Sequence, residues 1–205
     1  MNIFILFAGF LIILYFLVIR DWQLTWGATK EETTRLLLGD DIVQKPHFIA
    51  TRALSIKALS DEVWKWIIQI GFGRAGFYSI DFIDNANVPS SRNILPKYQK
   101  IELDYFIPFT ADQKNGMWVK DYKEPEYILW WDHRGRGTWG WFLRQTQAGE
   151  TRLITRLRTK YDFSFPWIIY YIFYDVGDII MMRKCMLGIK ERAEKIDRKN
   201  GEGNF

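Results

Sequence analysis

Few residues in this sequence have types and spacings that could carry chemistry. Asp132 and His133 stand together before a glycine-containing turn, where an imidazole that titrates near neutrality could act as a general acid or base. Asp81 and Asp84 lie three residues apart, and two carboxylates in different surroundings can divide the roles of acid and base. Each candidate also has a non-catalytic interpretation. His133 could be an exposed, inert residue of the turn, and Asp81 and Asp84 could serve only to form turns. Asp81, Asp132 and His133 are therefore held as candidate catalytic residues, without an assigned reaction.

The cysteine and histidine content excludes several kinds of site. Cys185 is the single cysteine, so a disulfide within the chain and a zinc site of several thiolates are both excluded. Its position between Met182 and Met186 indicates a small apolar core residue rather than a nucleophile. His47 and His133 are the two histidines, too few for the usual multi-histidine metal site. We therefore expect neither a metal nor a cofactor.

The glycine-rich run at residues 71–76, GFGRAG, matches the dinucleotide-binding fingerprint G-x-G-x-x-G. That fingerprint requires a strand before it and a helix that opens within it, whereas a helix is predicted to precede this run. We interpret the run as the end of a helix followed by a tight turn. Nucleic-acid binding is also disfavoured, because the 24 acidic residues nearly balance the 28 basic ones and no recognition motif occurs.

Tryptophan, tyrosine and phenylalanine make up 17% of the chain, and several of them could form a ligand site. Trp139 and Trp141 share one face of a predicted strand because successive side chains alternate. Such residues either fill a core or line a pocket for a hydrophobic ligand. Arg156 could reach into that pocket and hold an anionic head group, or it could pair with carboxylates on a neighbouring strand. The candidate cavity residues are Tyr78, Trp130, Trp139, Trp141 and Arg156.

Capping signals and periodicity predict the elements that position these residues. Thr29 and Glu32 form a capping box that begins a helix ending before Gly39. Ser60 caps a second helix, and a long amphipathic helix is predicted over residues 176–197. The fold class is therefore α+β, with an antiparallel curved sheet around a long C-terminal helix. Strands are predicted over residues 47–57, 100–109, 117–122, 127–131, 138–145 and 151–161, at the spacing of an antiparallel meander.

Several short strings occur in order along residues 22–195. They include WGAT at 26–29, ATRA at 50–53, QIG at 69–71, RAGFYS at 74–79, GETRL at 149–153 and MLGIK at 186–190. In these strings the chain resembles the SRPBCC superfamily, the START-like helix-grip proteins with polyketide cyclase/dehydrase-like members, and most of all its uncharacterised membrane-tethered bacterial members. The resemblance implies a sheet that grips the last helix with an apolar cavity between them. It transfers no catalytic residues, because the fold hosts lipid carriers, cyclases, dehydratases and plain ligand binders.

Residues 3–19, IFILFAGFLIILYFLVI, form an uncharged apolar run. At a rise of about 1.5 Å per residue the run spans roughly 26 Å as a helix, the short end of what crosses a bilayer. No basic residue precedes it and no small-residue cleavage site follows it, which favours an uncleaved N-terminal transmembrane helix over a signal peptide. Arg20, Lys30 and Arg35 follow the run, and the positive-inside rule then puts the rest of the chain in the cytoplasm.

A second aromatic run covers residues 163–174, FSFPWIIYYIFY, and is too short to cross a bilayer. Buried, it would begin the last helix and close the cavity. Exposed, it would form a patch that monomers rarely leave to water and that suits a membrane interface. Basic residues of the last helix and the tail could add attraction to anionic lipid. The predicted interface residues are Trp22, Phe165, Trp167, Tyr170 and Tyr171.

These patterns predict a membrane-anchored, cytoplasm-facing domain that binds a hydrophobic or lipid-like small molecule, with membrane lipid as a partner. Two alternatives stay open. One is a cyclase- or hydrolase-type enzyme that uses the same cavity, and the other is a structural or interaction protein whose cavity is filled by its own aromatic residues. The expected division is a transmembrane anchor at 1–21, a juxtamembrane helix and linker at 22–46, the START-like domain at 47–197 and a polar tail at 198–205.

Overall fold

The computed structural model of this protein describes residues 3–202, so residues 1–2 of the predicted anchor and 203–205 of the predicted tail lie outside the described part. A π-helical turn, Tyr15–Ile19, joins the first two helices. The helices are α1 (Ile3–Leu14), α2 (Arg20–Leu24), α3 (Lys30–Thr34), α4 (Ser60–Ile68), α5 (Asp81–Asp84) and α6 (Trp167–Glu202). The strands are β1 (Phe48–Ile56), β2 (Phe106–Pro108), β3 (Gly116–Lys123), β4 (Tyr127–Trp131), β5 (Gly137–Gln145) and β6 (Thr151–Thr159).

These strands form an antiparallel sheet in the order β1-β6-β5-β4-β3-β2, so the first strand pairs with the last and the others follow as a meander. The predicted α+β class is confirmed, as are the antiparallel curved sheet and the long C-terminal helix. The second strand is shorter than the predicted 100–109. Asp104 has φ 59°, a left-handed backbone conformation that departs from the extended one, and β2 begins after it.

The two faces of the sheet carry different residues because side chains alternate along each strand. In register, Trp139 lies opposite both Leu157 and Trp130, so these three side chains share one face. That face meets α4 and α6, and the hydrophobic core lies between them. Arg156 lies on the other face, opposite Thr51, and contacts α3.

Two predicted helix caps have different outcomes. The capping box is confirmed: the Thr29 hydroxyl accepts from the Glu32 N–H at 3.2 Å, and the Glu32 carboxylate accepts from the Thr29 N–H at 2.7 Å. Ser60 does not cap α4, because Leu59 occupies the N-cap position. The Ser60 hydroxyl donates instead to the side-chain oxygen of Gln145 at 2.6 Å. The local sequence pattern predicted that the Ser60 hydroxyl caps α4, but this hydroxyl is used in a contact with the distant strand β5.

The glycine-rich run at residues 71–76 forms a tight turn after α4, as predicted. The Gly71 N–H donates to the Gly76 carbonyl oxygen at 3.1 Å, and the reverse hydrogen bond measures 3.2 Å. Both residues have positive φ, which glycine adopts without steric cost. A helix precedes the run, so the strand that a dinucleotide fingerprint requires is missing at this place.

The N-terminal apolar run, predicted to be a transmembrane helix over residues 3–19, is helical in more than one segment. Within residues 3–202, no helix is both long and apolar enough to cross a membrane. The run is divided between α1 and the π-helical turn, and polar contacts join its C-terminal part to α6. Tyr15 and Arg20 donate to the Asp175 carboxylate at 2.6 and 2.9 Å, and Gln23 donates to the Asp175 carbonyl oxygen at 2.7 Å. The Tyr161 hydroxyl donates to the same carboxylate at 2.9 Å.

The C-terminal helix begins at Trp167, well before the predicted start at residue 176. Pro166 precedes it directly, where a missing N–H costs no helical hydrogen bond. The first turns carry exposed apolar side chains on several sides, so they lack the one-sided pattern on which the prediction depends. The predicted stripe is buried at Ile179, Met182, Met186, Ile189 and Ala193, while the side chain of Ile196 lies outside the described part.

Candidate functional site

A cavity of about 570 Å³ lies between the sheet, the first half of α6 and the segment that contains α5. Trp139 and Leu157 belong to its floor, where both side chains are buried. Its rim is also apolar but lies at the surface: Ile83 is 62% exposed, Phe173 73% and Ile180 61%. An apolar interior therefore opens through an apolar mouth.

Hydrogen bonds and ring contacts orient Trp139 in the cavity wall. Its indole N–H donates to the Thr155 hydroxyl at 2.9 Å, and that hydroxyl donates to the Gly140 carbonyl oxygen at 3.0 Å. The ring meets Phe109 and Trp130 edge to face, with centroids 5.8 and 5.1 Å away. Because the indole N–H is satisfied within the sheet, Trp139 offers the cavity apolar ring surface.

One of the two carboxyl groups in the cavity wall, that of Asp178 on α6, is ion-paired. The guanidinium of Arg52 donates to it through Nη1, and Arg52 is fully buried on β1. Burial raises the pKa of Asp178, and the positive charge of Arg52 opposes that shift. The charge of Asp178 is therefore compensated from within the protein.

The other carboxyl group, that of Asp84 on α5, lacks such compensation. Both of its carboxylate oxygens are buried, and neither has a hydrogen-bond partner within the described part of the chain. Burial raises the pKa of Asp84 to about 6 against the lowering effect of the nearby Ser79 hydroxyl, and the negative charge of Asp81 adds to the increase. The cavity therefore contains a carboxyl group that titrates near physiological pH.

Some of the predicted cavity residues line the cavity wall, and others lie in the hydrophobic core behind it. Trp139 lines the cavity, whereas Tyr78, Trp130 and Trp141 are buried in the hydrophobic core beside it. The Tyr78 hydroxyl is already used, because it donates to the Trp66 carbonyl oxygen at 3.0 Å. These side chains thus support the wall from behind.

The prediction that Arg156 reaches into the cavity is wrong. Alternation along β6 puts Leu157 in the cavity wall, so Arg156 lies on the opposite face of the sheet. There its guanidinium donates to the Asp40 carboxylate at 2.6 Å and to the Thr51 hydroxyl at 2.8 Å. The carboxylate partner comes from the loop after α3 rather than from a neighbouring strand. Further bonds go to the carbonyl oxygens of Glu32, Thr33 and Arg35.

Asp132 and His133 lie in the turn between β4 and β5 and do not line the cavity. Asp132 accepts a hydrogen bond at 3.0 Å from the backbone N–H of Arg134, within its own turn. His133 is exposed and stacks on Trp118, with ring centroids 4.1 Å apart. The nearest carboxylate, that of Asp104, lies 3.5 Å from Nε2. This geometry fits the interpretation of His133 as a turn residue.

Asp81 does not line the cavity, whereas Asp84, three residues later, does. The Asp81 carboxylate accepts a hydrogen bond from the Ser90 hydroxyl, beside the cavity. Asp84 follows at the end of the same short helix and lines the wall. The pair was recognisable in the sequence, but the spacing does not tell which carboxylate is buried.

The predicted interface residues lie mostly at the surface. Tyr170 is both exposed and part of the cavity wall, so the aromatic run at 163–174 contributes to the mouth as well as to the surface. Tyr171 is half-buried and stacks on Tyr161, with ring centroids 4.4 Å apart. The other exposed members are Trp22, Phe165 and Trp167.

No family model and no curated protein matches the chain. It is similar to the structure of a conserved protein of unknown function from Enterococcus faecalis, with 15% identity, a TM-score of 0.46 and 76% of each chain covered. It is also similar to a polyketide-cyclase-like protein from Corynebacterium glutamicum, with 14% identity and a TM-score of 0.35 over 75% of this chain and 91% of that one. A protein from Mesorhizobium loti is similar at 13% identity and a TM-score of 0.39, over 72% of this chain and 97% of that one. All three TM-scores lie below 0.5, and membership of the SRPBCC superfamily stays a prediction.

Proposed function

We propose that this protein is a membrane-associated domain that binds a hydrophobic or lipid-like small molecule in the cavity between the sheet and α6. The observation that carries the proposal is the cavity itself. Its volume of about 570 Å³ falls within the roughly 300–1,000 Å³ typical of small-molecule sites. Its wall combines apolar side chains with very few polar groups, which is the usual composition of such sites.

The surface around the mouth supports the membrane part of the proposal. Phe82 and Ile83 of α5 are exposed beside the mouth, and Phe173 and Ile180 of α6 form part of it. Exposed apolar surface of this extent marks an interaction site in most soluble proteins. A lipid surface would cover these side chains and would let an apolar ligand enter the cavity without crossing water.

Gly177 offers a direct test of the cavity. It lies in the wall on α6, and a Cβ atom added there meets nothing within 4 Å. A side chain can therefore start from Gly177 without backbone strain, Gly177→Trp should fill part of the cavity, and Gly177→Ala is the matched control with a single methyl group. We expect the full chain reconstituted in lipid nanodiscs, and its Gly177→Ala variant, to bind Nile red and to release the same co-purifying ligand in native mass spectrometry. Gly177→Trp should lose both. Equal binding by Gly177→Trp would overturn the proposal, as would a wild-type chain that carries no ligand and binds no Nile red.

The membrane contact is tested by flotation with vesicles of phosphatidylcholine and phosphatidylserine. A variant with Phe165→Ser, Trp167→Ser and Phe173→Ser removes three exposed apolar side chains and should float less than the wild type. The control is Leu36→Ser, which removes an apolar side chain that is 90% exposed after α3. Equal flotation of all three proteins would contradict a lipid contact through residues 165–173.

An enzyme that uses the same cavity is a second candidate, and the position of Asp84 favours it. A carboxyl group with a pKa of about 6 can take or give a proton at neutral pH. The test is whether the wild-type chain changes the mass of a co-purifying ligand on incubation while Asp84→Asn binds that ligand unchanged. Ligand that leaves the wild type chemically unaltered would exclude this candidate.

A further inference from the structure

The charges of the cavity wall all have one sign. The charged residues among the described lining are Asp84 and Asp178, and no lysine, arginine or histidine accompanies them there. Arg52 compensates Asp178 from β1. Asp84 is therefore the carboxylate whose charge the protein leaves unbalanced.

In the described cavity wall no cation lies beside Asp84 to balance its charge. Asp81 lies on the same short helix, and Asp178 and Cys185 face the cavity from α6. Burial raises the pKa of Cys185 well above neutrality, so this group stays an uncharged thiol. The Ser79 hydroxyl, also in the wall, donates to the Met181 carbonyl oxygen at 2.9 Å. Both Asp84 carboxylate oxygens are buried without a hydrogen-bond partner in the described part of the chain, so a ligand that brings a donor gains a charge-assisted hydrogen bond there.

Aromatic rings strengthen the preference for positive charge. Trp139, Phe109, Tyr170 and Tyr174 line the same cavity. The faces of such rings attract cations, and the attraction grows where water is excluded. An ammonium group can use the carboxylate and the rings together, whereas an alcohol gives a single hydrogen bond and a carboxylate is repelled.

We propose that the ligand is an apolar amine, with its hydrocarbon body in the cavity and its ammonium group paired with Asp84. This inference rests on the proposed function, because it names the class of molecule that the same cavity binds. It also reverses the expectation of an anionic head group held by Arg156, which lies on the other face of the sheet.

Three probes with one hydrocarbon chain separate the head groups: dodecylamine, dodecanol and dodecanoate. Each is titrated below its micelle concentration into the full chain in nanodiscs, with displacement of Nile red as the signal. We expect dodecylamine to bind about 10- to 100-fold more tightly than dodecanol, as for a hydrogen bond to a charged group, and dodecanoate to bind most weakly. The net charge of +4 attracts dodecanoate and repels dodecylamine, so non-specific attraction would give the opposite order.

Asp84→Asn is the decisive variant, and Asp104→Asn is its control. The control removes the same charge from an exposed side chain outside the cavity wall. Asp84→Asn should bind dodecylamine no more tightly than it binds dodecanol, while Asp104→Asn keeps the wild-type preference for dodecylamine. A preference that survives in Asp84→Asn, or a wild type that binds dodecanoate as tightly as dodecylamine, overturns the inference. Equal binding of all three probes refutes this inference alone, whereas binding of none refutes the proposed function with it.

Discussion

Replacing Arg156 by lysine should destabilise the domain without weakening ligand binding. The Arg156 side chain is 5% exposed, and its guanidinium donates to five acceptors. A lysine ammonium has three donors on one nitrogen, so at least two of these acceptors lose their partner. Hydrogen bonds to charged groups contribute about 1.5–3 kcal/mol each. Some of the carbonyl oxygens can form hydrogen bonds with water instead, so we take the lower value for each of the two lost bonds. The free energy of unfolding should therefore fall by about 3 kcal/mol.

Urea unfolding followed by circular dichroism measures this loss. With a slope of about 2 kcal/mol per molar, the unfolding midpoint should fall by about 1.5 M. A domain of ordinary stability, about 5–15 kcal/mol, stays folded after such a change and can still be assayed for binding. The control is Arg158→Lys on the same strand face, because Arg158 makes one longer hydrogen bond, 3.3 Å, to the same Asp40 carboxylate. That variant should lose less than about 1 kcal/mol.

Nile red binding decides whether the two faces of the sheet are correctly assigned. We expect Arg156→Lys to bind Nile red as the wild type does, because Arg156 and the cavity lie on opposite sides of β6. Lost binding together with an unchanged unfolding midpoint would show that Arg156 contacts the ligand. That result would refute both the placement of the cavity and the reasoning from alternation.

Three further changes have defined outcomes. Trp139→Ala should cost about 3–5 kcal/mol in urea unfolding, since it removes a buried ring and leaves the Thr155 hydroxyl without its indole donor; a cost below about 1 kcal/mol would contradict its burial. Thr29→Ala should cost about 1 kcal/mol by loss of the capping box with Glu32, and Thr29→Ser, which keeps the hydroxyl, should cost less. Burial raises the pKa of Asp84 to about 6, above that of an unfolded aspartate at about 4. The folded state therefore holds the proton between these values, and stability is lost as pH rises through about 4 to 6. Asp84→Asn should thus be more stable than the wild type at about pH 8 and not at about pH 4, and equal differences at both would exclude the shift.

The sheet was predictable to a large extent, because alternation is a local property of each strand. The pattern in residues 151–161 defines two faces, and the structure confirms that Trp139 and Trp141 share one of them. Alternation does not tell which face meets the helix, however. Arg156 is buried against the α3 segment, a contact between residues far apart in the chain, so its role could not be read from β6 alone.

The site was less accessible to prediction than the fold. Asp84 lies in a four-residue helix, too short to show a periodic pattern, and its burial depends on residues of α6 almost a hundred positions later. The polar contacts around the N-terminal run could not be predicted either. A hydropathy value is assigned to each residue from its type alone. The contacts of Tyr15 and Arg20 with Asp175, by contrast, depend on the tertiary fold.

The Asp175 carboxylate also has a mechanical consequence. It joins Tyr15 and Arg20 to α6, and Gly177 and Asp178, within the next turn of that helix, line the cavity. The N-terminal helices and the cavity wall thus share one helical turn. A displacement of residues 15–24 relative to the sheet would therefore pull on the same turn of α6 that lines the cavity.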